Sequence, residues 1–292
     1  MDIGFIGVGV MGRAMATNLV KHRHRVTVLD RSPEAMRYMQ EHGAIAADTI
    51  SALAAASDVI ITMLPTPEAI ESVILGPGGL AEAMRPGTVC IDSSTGEPQL
   101  AQRIHTLLKS NGVKSLDCPV GGQQPEAVAG TLTFMAAGDS ADIEQARPIL
   151  LCMGDEVIEC GGAGAGQATK LVNNVLAAVI LQATTEAVSL GLKAGLRFDL
   201  MRDVMMRTMA RNGWLESGLN KAINRDFRPG FTINLLRKDM LLATGLAARL
   251  DVPTPLTAAL QQTCTALIAA GRGTQDVGAI FGAQIELLGL EP

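Results

Sequence analysis

Three polar side chains on one apolar segment are the first candidates for chemistry. In Gly164-Ala-Gly-Gln-Ala-Thr-Lys170-Leu-Val-Asn173-Asn174 the lysine and the two amides stand at i, i+3 and i+4. On a helix all three point the same way. The neighbours Leu171, Val172, Val175, Leu176, Val179 and Ile180 are expected to leave little of that helix for solvent. A polar cluster pressed into apolar surroundings is costly unless it is used. From residue 167 onward the chain contains no histidine, and the one cysteine there, Cys264, falls mid-helix. If this part of the chain must move a proton, Lys170 is the best remaining candidate. Its pKa would have to fall from about 10.4 towards roughly 7–8. Burial and a second cation, Lys238, both act in that direction.

A second constellation lies at the N-terminus. Asp2–Ile6 reads as a short apolar strand and runs directly into Gly7-Val-Gly9-Val10-Met11-Gly12. A helical pattern follows over 11–21, then a strand over 25–29 that closes on Asp30. This is the dinucleotide fingerprint in its required context. Gly7 permits the tight turn, Gly9 lets the backbone approach a pyrophosphate, and Gly12 lets helix and strand pack closely. The helix N-terminus faces the phosphates. Asp30 suits both adenosine ribose hydroxyls and repels a 2′-phosphate, which favours NAD. Arg31 and Ser32 leave NADP open.

These sites need a scaffold, and its outline is legible. Before residue 164 short apolar runs alternate with helical ones, as in an open α/β sheet. Helices are expected at 31–42, 50–56, 67–75, 98 onward and 140–151, and strands at 44–47, 59–64, 88–91, 113–117, 131–137 and 156–160. The 131–137 strand is expected to be antiparallel and at the sheet edge. The ends of the strands carry further candidates, because ligands bind at the carboxyl ends of strands in such sheets. Met63 and Leu64 line the expected cofactor cleft. Ser94 and Thr95 combine a strand end with a coming helix start, where hydroxyls and free N–H groups suit an anion or cap a helix. Gly121 and Gly122, followed by Gln123, bring backbone close to a ligand. From 167 onward only helices are expected, over 167–193, 198–209, 214–223, 235–250, 253–270 and 276–288.

Composition excludes several classes. The 292 residues suffice for two domains; 48% are hydrophobic and 18% charged, and the net charge is −5. A nucleic-acid partner would want a basic stripe, and none is present. The one long apolar helix carries Lys170, Asn173, Asn174, Gln182 and Glu186, so no membrane span is expected. The N-terminus enters a strand at once, with no targeting segment expected. The five cysteines show no CxxC spacing and read as buried free thiols in a reducing cytoplasm. His22 and His24 sit among Lys21, Arg23 and Arg25, so no metal site is assigned.

The assembled motifs resemble the β-hydroxyacid dehydrogenase family, which includes 3-hydroxyisobutyrate dehydrogenase and tartronate semialdehyde reductase. Phe5-Ile-Gly-Val-Gly-Val-Met-Gly12, Asp92-Ser-Ser-Thr95, Asp117-Cys-Pro-Val-Gly-Gly122, the Gly164–Asn174 stretch and Lys238-Asp239 are its five motifs in order. The resemblance spans the chain. It implies a Rossmann-like N-terminal domain over 1–163 and an all-α substrate and oligomerisation domain over 164–292, joined by the long helix. It implies that Lys170 is the general acid/base, with Asn174 orienting lysine and hydroxyl. It places Ser94, Gly121, Gly122, Asn173, Asn174 and Lys238 in the substrate pocket, and Val10, Met11, Asp30, Leu64 and Thr95 on the cofactor. Such enzymes are dimers or tetramers, and a helix apolar round most of its circumference is expected to need a partner.

The family's substrate loop reads Pro-Val-Ser-Gly-Gly; here it reads Pro119-Val-Gly121-Gly122-Gln123, so a hydroxyl is missing and an amide is added. Sulfolactaldehyde reductases share the first glycine but follow it with arginine. The expected reaction is hydride transfer between NAD(P) and a small anionic β-hydroxy acid of three or four carbons. Lys238 and N–H groups at 94–95 and 121–123 are expected to receive the carboxylate. Arg211 reads equally well as an added cation or as a solvated loop residue. The alternatives are a sulfolactaldehyde or succinic semialdehyde reductase, an imine reductase, or a non-catalytic dinucleotide-binding scaffold. The last two tend to lack the lysine.

Overall fold

A computed structural model describes residues 1–290 of the chain. It separates into two compact units, Met1–Lys170 and a second from Leu171 onward.

Among the described residues of the first unit, nine strands form one sheet: β1 (Asp2–Ile6), β2 (Arg25–Leu29), β3 (Ile45–Ala46), β4 (Val59–Thr62), β5 (Val89–Asp92), β6 (Lys114–Asp117), β7 (Val120–Gly121), β8 (Leu132–Ala137) and β9 (Gly154–Gly161). The order β3-β2-β1-β4-β5-β6 is parallel throughout, the doubly wound dinucleotide-binding arrangement. Its central strands are continuous apolar runs, because helices cover both faces. Ile3, Phe5, Val28, Ile60, Ile61 and Ile91 are essentially inaccessible.

The helices are α1 (Val10–Lys21), α2 (Pro33–Glu41), α3 (Ile50–Ala55), α4 (Pro67–Ile74), α5 (Leu80–Ala83), α6 (Pro98–Ser110), α7 (Gln124–Ala129) and α8 (Ser140–Leu150). Their starts follow local chemistry. The hydroxyls of Ser32, Thr49 and Thr66 accept the N–H groups of Ala35, Ala52 and Ala69. Proline stands in the first turn of α2, α4, α6 and α7, where its missing N–H costs nothing.

Strand β8 is antiparallel, as expected, to β6 and β7, but it is not the edge. After α8 the chain returns as β9, which pairs parallel to β8 and takes the outer position. Only Gly154 and Val157 of β9 are buried, as suits a solvent-facing edge. The expectation that all five cysteines are buried needs correction here: Cys160 on this edge strand and Cys152 in the turn before it are half-buried. Two short helices, α5 and α7, and the two-residue β7 lie in stretches that read as loops, since segments of four to six residues carry too little periodicity to stand out.

Helix α9 (Ala165–Lys193) runs from the first unit into the second, which adds α10 (Phe198–Met205), a π turn (Trp214–Gly218), α11 (Asn220–Ile223), α12 (Ile233–Arg249), α13 (Pro255–Ala269) and α14 (Ala279–Leu287). The second unit packs its own core of Leu181, Val188, Leu236, Met240, Leu260 and Phe281. The expected single helix over 214–223 is broken at Leu219, where the π turn hands over to α11. By length and composition alone α9 could cross a membrane. The expectation that little of it meets solvent needs correction. Leu171 is buried, but Val172, Leu176 and Leu190 are 68%, 62% and 74% exposed. Apolar residues circle the helix, whereas the core of its own chain covers only one side.

The glycine loop shows two distinct uses of glycine. Gly7 has φ +93°, and a Cβ there would lie 2.3 Å from the Met63 carbonyl oxygen. A Cβ on Gly12 would lie 1.9 Å from the Gly7 carbonyl oxygen. A Cβ on Gly9 would meet no atom within 4 Å. Gly12→Ala should therefore unfold or distort the first unit, with a melting temperature lower by several degrees. Gly9→Ala should keep the wild-type melting temperature yet weaken dinucleotide binding at least tenfold in a fluorescence titration. A Gly9→Ala protein that binds NAD(H) normally would show that this face of the loop meets no ligand.

Candidate active site

The sites are best described within each unit, beginning with the nucleotide end of the first. Helix α1 begins directly after the glycine loop, so its first N–H groups face outward past Gly9. Val10 is exposed and Met11 half-buried at this mouth. The carboxylate of Asp30 lies against the loop: Oδ2 accepts the Val8 N–H at 2.8 Å and Oδ1 accepts the Ser32 N–H at 2.8 Å. Each oxygen keeps a lone pair for a hydroxyl. Arg31 is exposed beside it. An open Gly9, a pinned terminal acid and a helix start form a cradle that fits a dinucleotide.

The carboxyl ends of β4, β5 and β6 form a buried polar layer. Thr62 Oγ1 donates to Asp92 Oδ1 at 2.8 Å, and the Ser94 N–H donates to the same oxygen at 3.1 Å. The Ser94 hydroxyl accepts the Leu64 N–H at 2.8 Å. Ser94 has no exposed surface. Its side chain is thus occupied in bracing β4 against β5. The expectation of free N–H groups at 94–95 also needs correction. The N–H of Ser93 goes to the Thr62 carbonyl, that of Ser94 to Asp92, and that of Gly96 to Gln167 Oε1 at 2.7 Å. Protein acceptors inside the fold thus take the Ser94 donor and those of its neighbours Ser93 and Gly96. Thr95 and Met63 and Leu64 are half-buried next to this layer.

Asp117, the last residue of β6, is the deepest charge here. Its two oxygens accept the N–H groups of Gly164 and Gln167, both at 2.9 Å. Burial pushes its carboxyl up to about 7, against the pull of those two donors, and neighbouring Asp92 adds to the rise.

The loop after β6 turns on two glycines of opposite character. Gly121 is half-buried in β7, and a Cβ there would make only ordinary contacts, at 3.5 Å and beyond. Gly122 has φ +114°, and a Cβ would press on Leu132 at 2.8 Å. Gln123 is exposed; its N–H is taken by Glu126 Oε2 at 2.8 Å as α7 begins.

In α9 the expected face is present but unevenly open. Lys170 is half-buried, Asn173 exposed and Asn174 only 9% exposed. Asn174 Nδ2 donates to Asp239 Oδ2 at 2.7 Å, and Asn173 Nδ2 lies 3.3 Å from Asn174 Oδ1. Asp239 is buried at 2% and its other oxygen pairs with Lys238 Nζ at 2.8 Å. In the sequence Asp239 stands out only as part of the Lys238-Asp239 motif. Its role in holding Asn174 and Lys238 together was hidden, because 65 residues separate Asp239 from Asn174. A buried acid beside a lysine on an otherwise apolar helix was the available signal. Arg211 is exposed and lies 4.0 Å from Glu216.

Comparison with known proteins agrees with this architecture. Residues 2–162 match the model for the NAD binding domain of 6-phosphogluconate dehydrogenase. Residues 164–283 match that for the NAD-binding domain of NADP-dependent 3-hydroxyisobutyrate dehydrogenase. A probable mitochondrial 3-hydroxyisobutyrate dehydrogenase of Dictyostelium discoideum is 35% identical, over 96% of this chain and 89% of that one. The 3-sulfolactaldehyde reductase of Escherichia coli K12 is 37% identical, over 96% and 94%. The structure of Mycobacterium tuberculosis 3-hydroxyisobutyrate dehydrogenase with L-serine superposes with a TM-score of 0.87 at 35% identity, covering 96% of this chain and 98% of that one. The chain belongs to the β-hydroxyacid dehydrogenase family and is an NAD(P)-dependent oxidoreductase of hydroxy acids and their semialdehydes.

Proposed function

We propose that the chain interconverts a three- or four-carbon β-hydroxy acid and its semialdehyde, with Lys170 moving the proton. The observation that carries this reading is the disposition of one helix. Lys170 and Asn174 stand at i and i+4 of α9, and Asn174 is locked by the buried Asp239. Hydride is taken up or supplied by the nicotinamide when the cofactor is bound. In oxidation, neutral Lys170 accepts the hydroxyl proton at Nζ; in reduction, its ammonium donates that proton to the carbonyl oxygen. Asn174 gives one of its two amide N–H groups to Asp239, and its oxygen, which accepts from Asn173, keeps a second lone pair for the lysine or the hydroxyl. Gly7, Gly9, Val10, Met11, Gly12, Asp30, Arg31, Met63, Leu64, Thr95 and Lys238 hold the cofactor. Gly121, Gly122, Gln123, Asn173 and Lys238 meet the substrate, and Ser94 braces the strand ends behind them. Residues 1–163 are thus the dinucleotide-binding domain, which also lends Gly121–Gln123 to the substrate, and 164–292 the substrate and assembly domain, which also lends Lys238 to the cofactor.

The substrate is a small carboxylate of the 3-hydroxyisobutyrate or tartronate semialdehyde type. A side chain at 122 is opposed by the positive φ and by Leu132, which disfavours the arginine that would greet a sulfonate. Lys238 is compensated in charge by Asp239, so a substrate carboxylate would meet its ammonium as a local hydrogen-bond donor. NAD is preferred to NADP, because the Asp30 oxygens, one held by the Val8 N–H and the other by the Ser32 N–H, keep lone pairs for ribose hydroxyls and their charge repels a 2′-phosphate.

Lys170→Ala or Lys170→Met should lower turnover by about two to four orders of magnitude with cofactor affinity intact. Unchanged turnover would sink the proton-transfer role. Steady-state kinetics should give a higher kcat/KM with NADH than with NADPH, and Asp30→Ala should cost NADH far more. The reverse preference would mean that Arg31 and Ser32 dominate. In a screen of NADH oxidation, tartronate, succinic and methylmalonic semialdehydes should outpace sulfolactaldehyde. Gly121→Ser, which the structure accommodates, should shift that ranking without loss of stability. A dominant sulfonate substrate would contradict the loop reading.

A homodimer or homotetramer in the cytoplasm, with no nucleic acid or membrane partner, completes the proposal. The exposed Val172, Leu176 and Leu190 of α9 support association. Light scattering on protein from the soluble cell fraction should give a multiple of the 30.5 kDa chain. A monomer at micromolar concentration, or recovery only from membranes, would contradict it.

A further inference from the structure

The start of α9 is held more firmly than a helix start requires. Asp117 at the end of β6 accepts two N–H groups, one on each oxygen, from Gly164 and Gln167. Gly166 lies so close to the sheet that a Cβ would fall 2.5 Å from the Met135 carbonyl oxygen and 2.6 Å from that of Asp117. Gly164 has φ +92°, which lets the chain turn sharply into the helix. These three features seat the first turn on the ends of β6 and β8. Helix capping and packing account for all of them.

They do not account for Gln167. Its side chain is 1% exposed, and both ends of its amide are used at once. Oε1 accepts the Gly96 N–H at 2.7 Å, and Nε2 donates to the Ser94 carbonyl at 2.9 Å. The amide reads the backbone on both sides of Thr95, in the segment that leaves β5. Ser94 is in turn tied to Leu64 and Asp92. A leucine would fill the same volume without a buried polar group to satisfy. What the amide adds is a defined height and rotation of the helix relative to β5. Lys170 follows Gln167 by three residues, about 4.5 Å along the axis.

We propose that Gln167 is a positioning residue that acts through Lys170: it locks the first turn of α9 to the Ser94–Gly96 segment and so sets where the lysine ammonium stands. Asp117 holds the same turn from β6. The inference rests on the reading of Lys170 as the proton-transfer group. A displacement of the order of 1 Å at that group costs on the order of a hundredfold in rate, whereas the same displacement on an ordinary core helix changes stability alone.

The test is a double-mutant cycle on the full-length enzyme, assayed well below each variant's Tm. Gln167→Met keeps the length of the side chain and removes both bonds. Gln167→Glu keeps the acceptor for the Gly96 N–H and loses the donor to Ser94. In the wild-type background Gln167→Met should lower kcat about ten- to a hundredfold, and Gln167→Glu by less. In the Lys170→Ala background the same Gln167 substitutions should lower the residual turnover less than threefold, because the group they position is gone. Equal losses in both backgrounds, or an unchanged kcat in the wild-type background, would overturn the proposal. If Gln167→Met fails to fold, the cycle with Gln167→Glu decides by the same criteria. Failure of the underlying reading looks different: Lys170→Ala alone would then retain wild-type turnover.

Discussion

The constraint on which the first unit depends is the burial of two carboxyl groups side by side. Asp92 and Asp117 are register partners at the ends of β5 and β6, exposed by 6% and 5%. Neither can stay there unpaired, because an orphaned carboxylate in an apolar interior costs several kcal/mol. The fold answers with donors on every side: Thr62 and the Ser94 N–H for Asp92, the Gly164 and Gln167 N–H groups for Asp117. Satisfying these two groups fixes the ends of three strands and the origin of α9 together. The same donors are thereby withdrawn from any ligand, and the Ser94 side chain and N–H brace the strand ends.

The glycines divide along a similar line. At Gly7, Gly12 and Gly166 the missing side chain is a packing requirement, since carbonyl oxygens stand where a Cβ would go. At Gly9 it is space left open. The compressed glycines at 7 and 12 keep strand and helix together.

The second unit repeats the pattern with one acid. Asp239 is buried, and it binds Asn174 through one oxygen and Lys238 through the other. Asn174 is thereby held in one orientation, and the lysine is kept beside its acid instead of extending to solvent. An amide and an ammonium are thus organised by a single carboxylate.

Much of this was legible from the chain alone. The order of strands and helices, the glycine fingerprint with its terminal acid, and the i, i+3, i+4 spacing of Lys170, Asn173 and Asn174 are local patterns, set by periodicity and turn chemistry within a few residues. The family follows from five such motifs in order. Tertiary structure alone decided matters that rest on distant partners. It placed β9 outside β8, spent the Ser94 hydroxyl on Leu64, and left Val172 and Leu176 exposed. It joined Asp117 to Gly164, and Gln167 to Ser94. A side chain's type states which bonds it can make. Which of them it does make depends on what the fold brings within about 3 Å, and separations of 47 or 73 residues carry no local trace of that.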